Sequence, residues 1–274
     1  MIHNEILEWI EAFAPLSLAC EWDNVGLMAG SREDKTRNVL FCLDLTESII
    51  DSAAASGINL IITHHPLIFD KENPVAEGSL LARKIKKLND SGITVYSAHS
   101  NLDKARGGVN DVLALRLGLT DIKADESQLH RVGSLPTAVP VSFFVDDKTS
   151  TFNSFNSKLV LPANLAMDDN VVTVGVCCGS FDGETDWMIE NKVDILVTGE
   201  MKHHAALDLF EQGIAALEIG HYESEISGIM SLAAHVKKSM EAQLKHEGVA
   251  LRIASKTNPY FDIFSFEEQN GGGL

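Results

Sequence analysis

Ser56-Gly-Ile-Asn-Leu-Ile-Ile-Thr-His-His65 and Asn191-Lys-Val-Asp-Ile-Leu-Val-Thr-Gly-Glu200 read as two versions of one segment. Each holds a short apolar run of strand length that ends on polar, chemically active side chains. A helical stretch follows in both places. A second short run then ends near a histidine, Ile93-Thr-Val-Tyr-Ser-Ala-His99 in one case and Ala215-Ala-Leu-Glu-Ile-Gly-His221 in the other. Strand, helix and strand, met twice, predict an α/β fold with largely buried sheets. The echo predicts two related α/β lobes with ligands at equivalent strand ends.

Periodicity extends the pattern outward. Residues 2–13 place Ile2, Ile6, Ile10 and Phe13 at helical spacing. The apolar run 38–43 is a strand, and Thr46 can cap the helix after it, which Gly57 ends. Helices are expected at 79–88, 109–117, 183–190, 203–211 and 224–244, with strands at 93–97, 171–176, 194–197 and 215–219. Residues 132–145 read as two strands or a hairpin. The segment 120–140, with Pro136 and Pro140, is the best candidate crossing between lobes. One lobe is then 1–125 together with 220–274, and the other 126–219. The glycine-rich 270–274 reads as a mobile tail.

Composition narrows the function classes. The 274 residues are 45% hydrophobic and 22% charged, which excludes disordered, collagenous and coiled-coil classes. A net charge of −17 opposes general nucleic-acid binding and anionic membranes, but not a nucleotide held through a metal ion. No apolar run approaches the ~18 residues needed to span a bilayer. The start, Met1-Ile-His-Asn-Glu5, lacks a basic and apolar leader, so a cytoplasmic protein is expected. Cys20, Cys42, Cys177 and Cys178 show no C-x-x-C spacing and read as small hydrophobes in a reducing compartment.

Chemistry gathers at the strand ends. Six of the ten histidines, His64, His65, His99, His203, His204 and His221, fall just after a predicted strand or on the next turn. Asp103, Glu200, Glu223 and Glu225 fall there too, and ligands of open α/β sheets bind beyond the carboxyl ends of strands. Each group alone is ordinary. Adjacent His64 and His65 point opposite ways on an extended strand, so they can flank two ions, or bind one as the chain kinks into Pro66. Asp103, placed on a loop, could join a metal shell or merely cap a turn. His221 and Glu225, at i and i+4, face one point only if their helix starts early enough. Together, four strand ends bearing imidazole or carboxylate exceed chance. Mixed N/O donors without thiolate suit Zn, Mn, Fe, Co or Ni, and five or more ligands suggest two ions bridged by a carboxylate, an arrangement for metal-assisted hydrolysis. There is no phosphate-binding glycine loop, dinucleotide fingerprint or nucleophile elbow.

Glu21-Trp-Asp-Asn-Val-Gly-Leu27, Leu43-Asp-Leu-Thr46, Thr63-His-His-Pro-Leu-Ile-Phe69, Ser97-Ala-His-Ser-Asn-Leu-Asp103, Thr198-Gly-Glu200 with His203-His204, and Gly220-His-Tyr-Glu-Ser-Glu225 closely resemble a known family. It is the dinuclear metal-binding GTP cyclohydrolase 1 type 2 family, also called NGG-one-interacting-factor-three-like. The resemblance implies two interlinked α/β lobes of similar topology with a metal site in the cleft between them, and a ring-shaped homohexamer. It implies two divalent cations per subunit on His64, His65, Asp103, His221 and Glu225, with Glu225 as the bridge. His99, Glu200 and His204 would be supporting or acid/base groups. The stretch 120–171 is too short for the extra domain of larger members, so the compact form is expected. The implied activity is water attack on a purine nucleotide ring or a related nucleotide. The other readings are a non-catalytic binding or regulatory protein and a purely structural metal site. The basic residues nearest these motifs are only Lys104, Arg106 and Lys202.

Overall fold

The first helix, α1 (His3–Phe13), turns Ile6, Leu7 and Ile10 inward at the spacing of one helical face. In this computed structural model, which describes residues 1–70, 75–154, 157–257 and 260–265, strands β1 (Gly26–Ala29) and β2 (Asn38–Cys42) follow. The expected tail at 270–274 lies outside the described residues. Thr46 caps α2 (Glu47–Ala55), its hydroxyl accepting the Ile49 amide at 3.2 Å. Then come β3 (Leu60–Thr63), α3 (Leu80–Ser91), β4 (Thr94–Ser97) and the short α4 (Ser100–Lys104). Ser79 caps α3, and Gly92 ends it in the left-handed conformation that a side chain would disfavour.

The chain continues through α5 (Val109–Arg116), β5 (Thr120–Ala124), β6 (Arg131–Pro140), α6 (Val141–Thr151), β7 (Lys158–Val160), β8 (Asn170–Phe181) and α7 (Asp186–Glu190). After β9 (Ile195–Met201), α8 (His203–Gln212) and β10 (Ala215–Glu218), the long α9 (His221–Glu247) leads to β11 (Ala250–Thr257) and β12 (Tyr260–Ser265). Two compact units result, Met1–Ala105 with Ile229–Leu274, and Arg106–Gly228.

Each unit holds one six-stranded sheet, ordered β1-β4-β3-β2-β11-β12 in the first and β7-β10-β9-β8-β6-β5 in the second. Four strands of each have the same topology. An antiparallel edge strand comes first in the chain, and two strand-helix-strand crossovers then build three parallel strands beside it. The strand ends match in detail. Thr63 pairs with Ser97 and its carbonyl accepts the Ala98 amide at 2.9 Å, while Thr198 pairs with Glu218 and accepts Ile219 at 2.9 Å. The units differ beyond the parallel trio, where β11 runs parallel to β2 but β6 runs antiparallel to β8.

Separate cores hold the units together. Leu40, Ile49, Ile50, Ile61, Leu88 and Val95 pack in the first; Phe181, Trp187, Met188, Leu196 and Leu209 pack in the second. All four cysteines are free, Cys20 half-buried and the others buried. Among the described residues, no helix is long and apolar enough to cross a membrane.

Several expectations need correction. Residues 141–145 are helical: Pro140 sets a φ of −57° at the cap, and Val141 and Phe144 are buried three apart, which is a helical period. Residues 120–140 form an antiparallel pair, β5 with β6, inside the second unit rather than a crossing. That unit opens before residue 126 and closes after 219. Its early start follows from α5, where Asn110 Oδ1 accepts the Cys178 amide at 2.8 Å and Asp111 pairs with Arg131. Strand β8 does not stop at the cysteines but continues through a bulge at Gly179, φ +62°, to Phe181.

Thr46→Ala is expected to lower stability by about 1 kcal/mol, with Thr46→Ser close to wild type, as read by urea denaturation.

Candidate metal centre

In the first unit the ends of β3 and β4 bring three imidazoles together. One ligand atom from each of His64, His65 and His99 lies within 4.8 Å of the others. The chain bends at His64 and His65, just beyond the last residue of β3, and their rings stand 5.2 Å apart and tilted by 46°. The His64 and His99 rings are 5.0 Å apart.

Each ring is oriented through Nδ1. His64, fully buried, donates from Nδ1 to the Ala98 carbonyl at 2.8 Å. His65 donates to Asp44 Oδ1 at 2.7 Å, and His99 to Asp23 Oδ1 at 3.0 Å. A carbonyl or an ionised carboxylate only accepts, so these partners place the proton on Nδ1 and leave the neutral ring's lone pair on Nε2. Protein metal sites commonly fix their imidazole ligands this way. Asp103 lies on helix α4 rather than a loop, because its amide bonds the His99 carbonyl at 3.0 Å. Its Oδ1 stands 3.5 Å from His64 Nε2, an imidazole lone pair facing a carboxylate at a buried position. A proton or a cation makes such an approach favourable.

Asp23 shows how firmly this frame is set. Burial pushes its carboxyl up, but the hydrogen bond from His99, the charge that ring carries when protonated and the bonds from Ser100 outweigh it and hold the pKa at about 2. The side chain of Asp23 is fully buried.

The second unit has its own pair at the equivalent strand ends. Helix α9 begins at His221, three residues earlier than its periodicity suggests, so His221 and Glu225 share one face. His221 Nδ1 meets Glu200 Oε1 at 3.1 Å, and His221 Nε2 meets the buried Glu225 Oε2 at 3.2 Å. Two glycines make room for this pair. A Cβ on Gly179 would strike the Glu225 carboxylate and stand 3.3 Å from His221 Nε2; one on Gly199 would stand 2.7 Å from Ser224 Oγ. Ser224 Oγ in turn accepts the Gly179 amide at 3.0 Å and donates to the His221 carbonyl at 2.7 Å.

Every candidate residue is thus placed. His64, His65, His99 and Asp103 gather in the first unit, and Glu200, His221 and Glu225 in the second. His204 is exposed in the first turn of α8. Asp23 and Asp44 were missed as ring-holding groups. Asp44 had a signal, a carboxylate two residues past the end of a buried strand; Asp23, on an irregular loop, had none from periodicity. The donor set of imidazole nitrogen and carboxylate oxygen fits a divalent transition metal.

Two units of shared topology, each closing its strand ends on oriented imidazoles and carboxylates, define an α/β protein with donor groups that could hold metal. The chain belongs to the Duf34/NIF3 (NGG1p interacting factor 3) family, whose model matches residues 1–259. It is 33% identical over 246 residues to the "GTP cyclohydrolase 1 type 2 homolog" of Clostridium perfringens, covering 88% of this chain and 94% of that one. It is 27% identical over 248 residues to "NIF3-like protein 1" of Drosophila melanogaster, covering 87% and 82%. Among solved structures, reduced HcgD from Methanocaldococcus jannaschii superposes with a TM-score of 0.74 at 29% identity, covering 89% and 95%. A Bacillus cereus protein related to NIF3 gives 0.84 at 21% identity over 96% and 99%, a likeness of fold.

Asp23→Asn is expected to destabilise the chelator-treated protein by on the order of 2 kcal/mol at neutral pH. The folded pKa lies below the unfolded value of about 3.9, so this contribution is present above pH ~4 and lost as pH falls toward ~2. Urea denaturation across that range should show the wild-type and variant curves converging.

Proposed function

We propose that the chain is a dinuclear, divalent-metal-dependent hydrolase that opens a purine nucleotide ring or acts on a related nucleotide, working in the cytoplasm as a homohexamer. The observation that supports this reading is the convergence of one ligand atom from each of His64, His65 and His99, whose rings protein acceptors orient through Nδ1. In this reading His64, His65, Asp103, His221 and Glu225 would hold two cations from among Zn, Fe, Mn, Co and Ni. The family resemblance, and the name carried by relatives such as the Clostridium perfringens protein, support that ligand set and the hydrolytic reading.

Divalent ions bound there would supply hydroxide near neutral pH and polarise the ring carbon under attack. The chain's own groups orient and move protons. Asp23 holds the His99 ring beside His64 and His65, where it can accept a proton from attacking water or return one to the leaving nitrogen. Glu200 steadies His221. His204 offers an exposed imidazole for exchange with solvent.

Metal content per chain, measured by plasma mass spectrometry on untagged protein, tests the reading beside His64→Ala and Glu225→Ala. About two ions per chain, reduced in both variants, are expected, with light scattering giving the mass of a hexamer. Metal that stays substoichiometric after reconstitution with Zn, Mn and Fe contradicts it. On loaded protein, formate release from GTP that vanishes in Glu225→Ala supports turnover. Saturable binding without product after long incubation establishes instead a metal-dependent binding or regulatory protein.

A further inference from the structure

Two large aromatic side chains stand exposed beside the imidazole cluster of the first unit. Trp22 is 67% exposed and Phe69 56% exposed, although burial is the favourable state for rings of this size. Both meet the same residue edge-on. Trp22 lies 6.0 Å from the His99 ring with planes at 77°, and Phe69 lies 5.8 Å from it with planes at 90°. His99 is one of the three imidazoles whose ligand atoms converge.

The two loops that carry these rings are tied together. Asn24 Nδ2 donates to the Ile68 carbonyl at 2.6 Å, joining the residues just after Trp22 to the one just before Phe69. Asp23, between Trp22 and Asn24, holds His99 Nδ1 at 3.0 Å and the Ser100 amide at 3.0 Å. The backbone under both rings is therefore fixed by the groups that orient the imidazole, which makes the arrangement preorganised for a ligand.

Charge selects the kind of ligand. The chain carries −17, and the carboxylates of Asp44, Asp23 and Asp103 already lie against His65, His99 and His64. Such a field does not favour recognition led by a phosphate tail. Exposed aromatic faces bind what is flat and aromatic, whatever its substituents.

We infer that Trp22 and Phe69 form a stacking site for a planar heteroaromatic ring, such as a nucleobase, whose edge is presented to His99 and the neighbouring imidazoles. This rests on the proposed hydrolytic reading and deepens it: the ring, rather than a phosphate chain, is the part of the substrate that is grasped. Trp22 and Phe69 position the ring, and the imidazoles meet its reacting edge.

Equilibrium dialysis of the metal-loaded full chain against radiolabelled guanosine, with ribose 5-phosphate as the ringless competitor, tests the site. Wild type, Trp22→Ala, Phe69→Ala and Trp22→Phe are compared, with metal content and light-scattering mass recorded for each. Guanosine should bind and resist displacement by ribose 5-phosphate. Each alanine variant should weaken its binding about ten-fold or more at unchanged metal content and mass, and Trp22→Phe should restore most of it. Equal binding in the alanine variants, or no guanosine binding by fully loaded wild type, overturns the site while leaving the metal reading intact. A fall in mass in either alanine variant also overturns it and assigns the rings to packing between copies of the chain. Ring-dependent guanosine binding by protein that takes up no metal on reconstitution with Zn, Mn and Fe separates the outcomes the other way, retaining the stacking site and sinking the hydrolytic reading.

Discussion

An acceptor fixed opposite Nδ1 sets both the direction and the tautomer of an imidazole, and the candidate centre depends on that constraint. In the first unit the acceptor is a backbone carbonyl for His64 and a carboxylate for His65 and His99; in the second it is a carboxylate for His221. The fold supplies these acceptors at fixed places. Ala98 continues β4, Asp44 follows β2, Glu200 belongs to β9, and Asp23 is held by the start of α4. Parallel strands end at one edge of each sheet, so side chains distant in sequence arrive together and their tautomers are set by neighbours that the sheet has already positioned.

The shared topology of the two units gives this constraint a history in the architecture. β1 to β4 and β7 to β10 lie in the same order, with the same antiparallel edge and the same two crossovers. Chemistry falls on the same ends, His64 and His65 after β3 against Glu200 at the end of β9, and His99 after β4 against His221 after β10. The local solutions differ. The first unit crowds three rings and uses a short helix to bring in Asp103. The second starts a long helix on His221 and opens space beside it with Gly179, at a bulge, where any side chain would press on Glu225.

The parallel core was legible because its strands are short continuous apolar runs broken by glycine and cap residues; Thr46, Ser79 and Gly92 end or begin helices where their chemistry requires. Edge strands β1, β5 and β7 were not, since each is short, partly exposed and paired on one side, so no run of buried residues marks them. The helix at 141–151 was misread because Val-Ser-Phe-Phe-Val satisfies both a two- and a three-residue period, and Pro140 decides between them. Histidines and carboxylates at strand ends were visible as a cluster in sequence. The groups that aim them were not, because a hydrogen bond between Asp23 and His99 spans 76 positions and leaves no periodic trace.

Metal held at the proposed centre should meet Nε2, and not Nδ1, of the strand-end histidines. Anomalous diffraction from crystals of the reconstituted protein, collected across the absorption edge of the bound metal, decides the point. Ion density is expected about 2.0–2.1 Å from Nε2 of His64 and of His65, with Nδ1 still bonded to Ala98 and Asp44. Ligation through Nδ1, or ions bound at sites that involve neither ring, would contradict it.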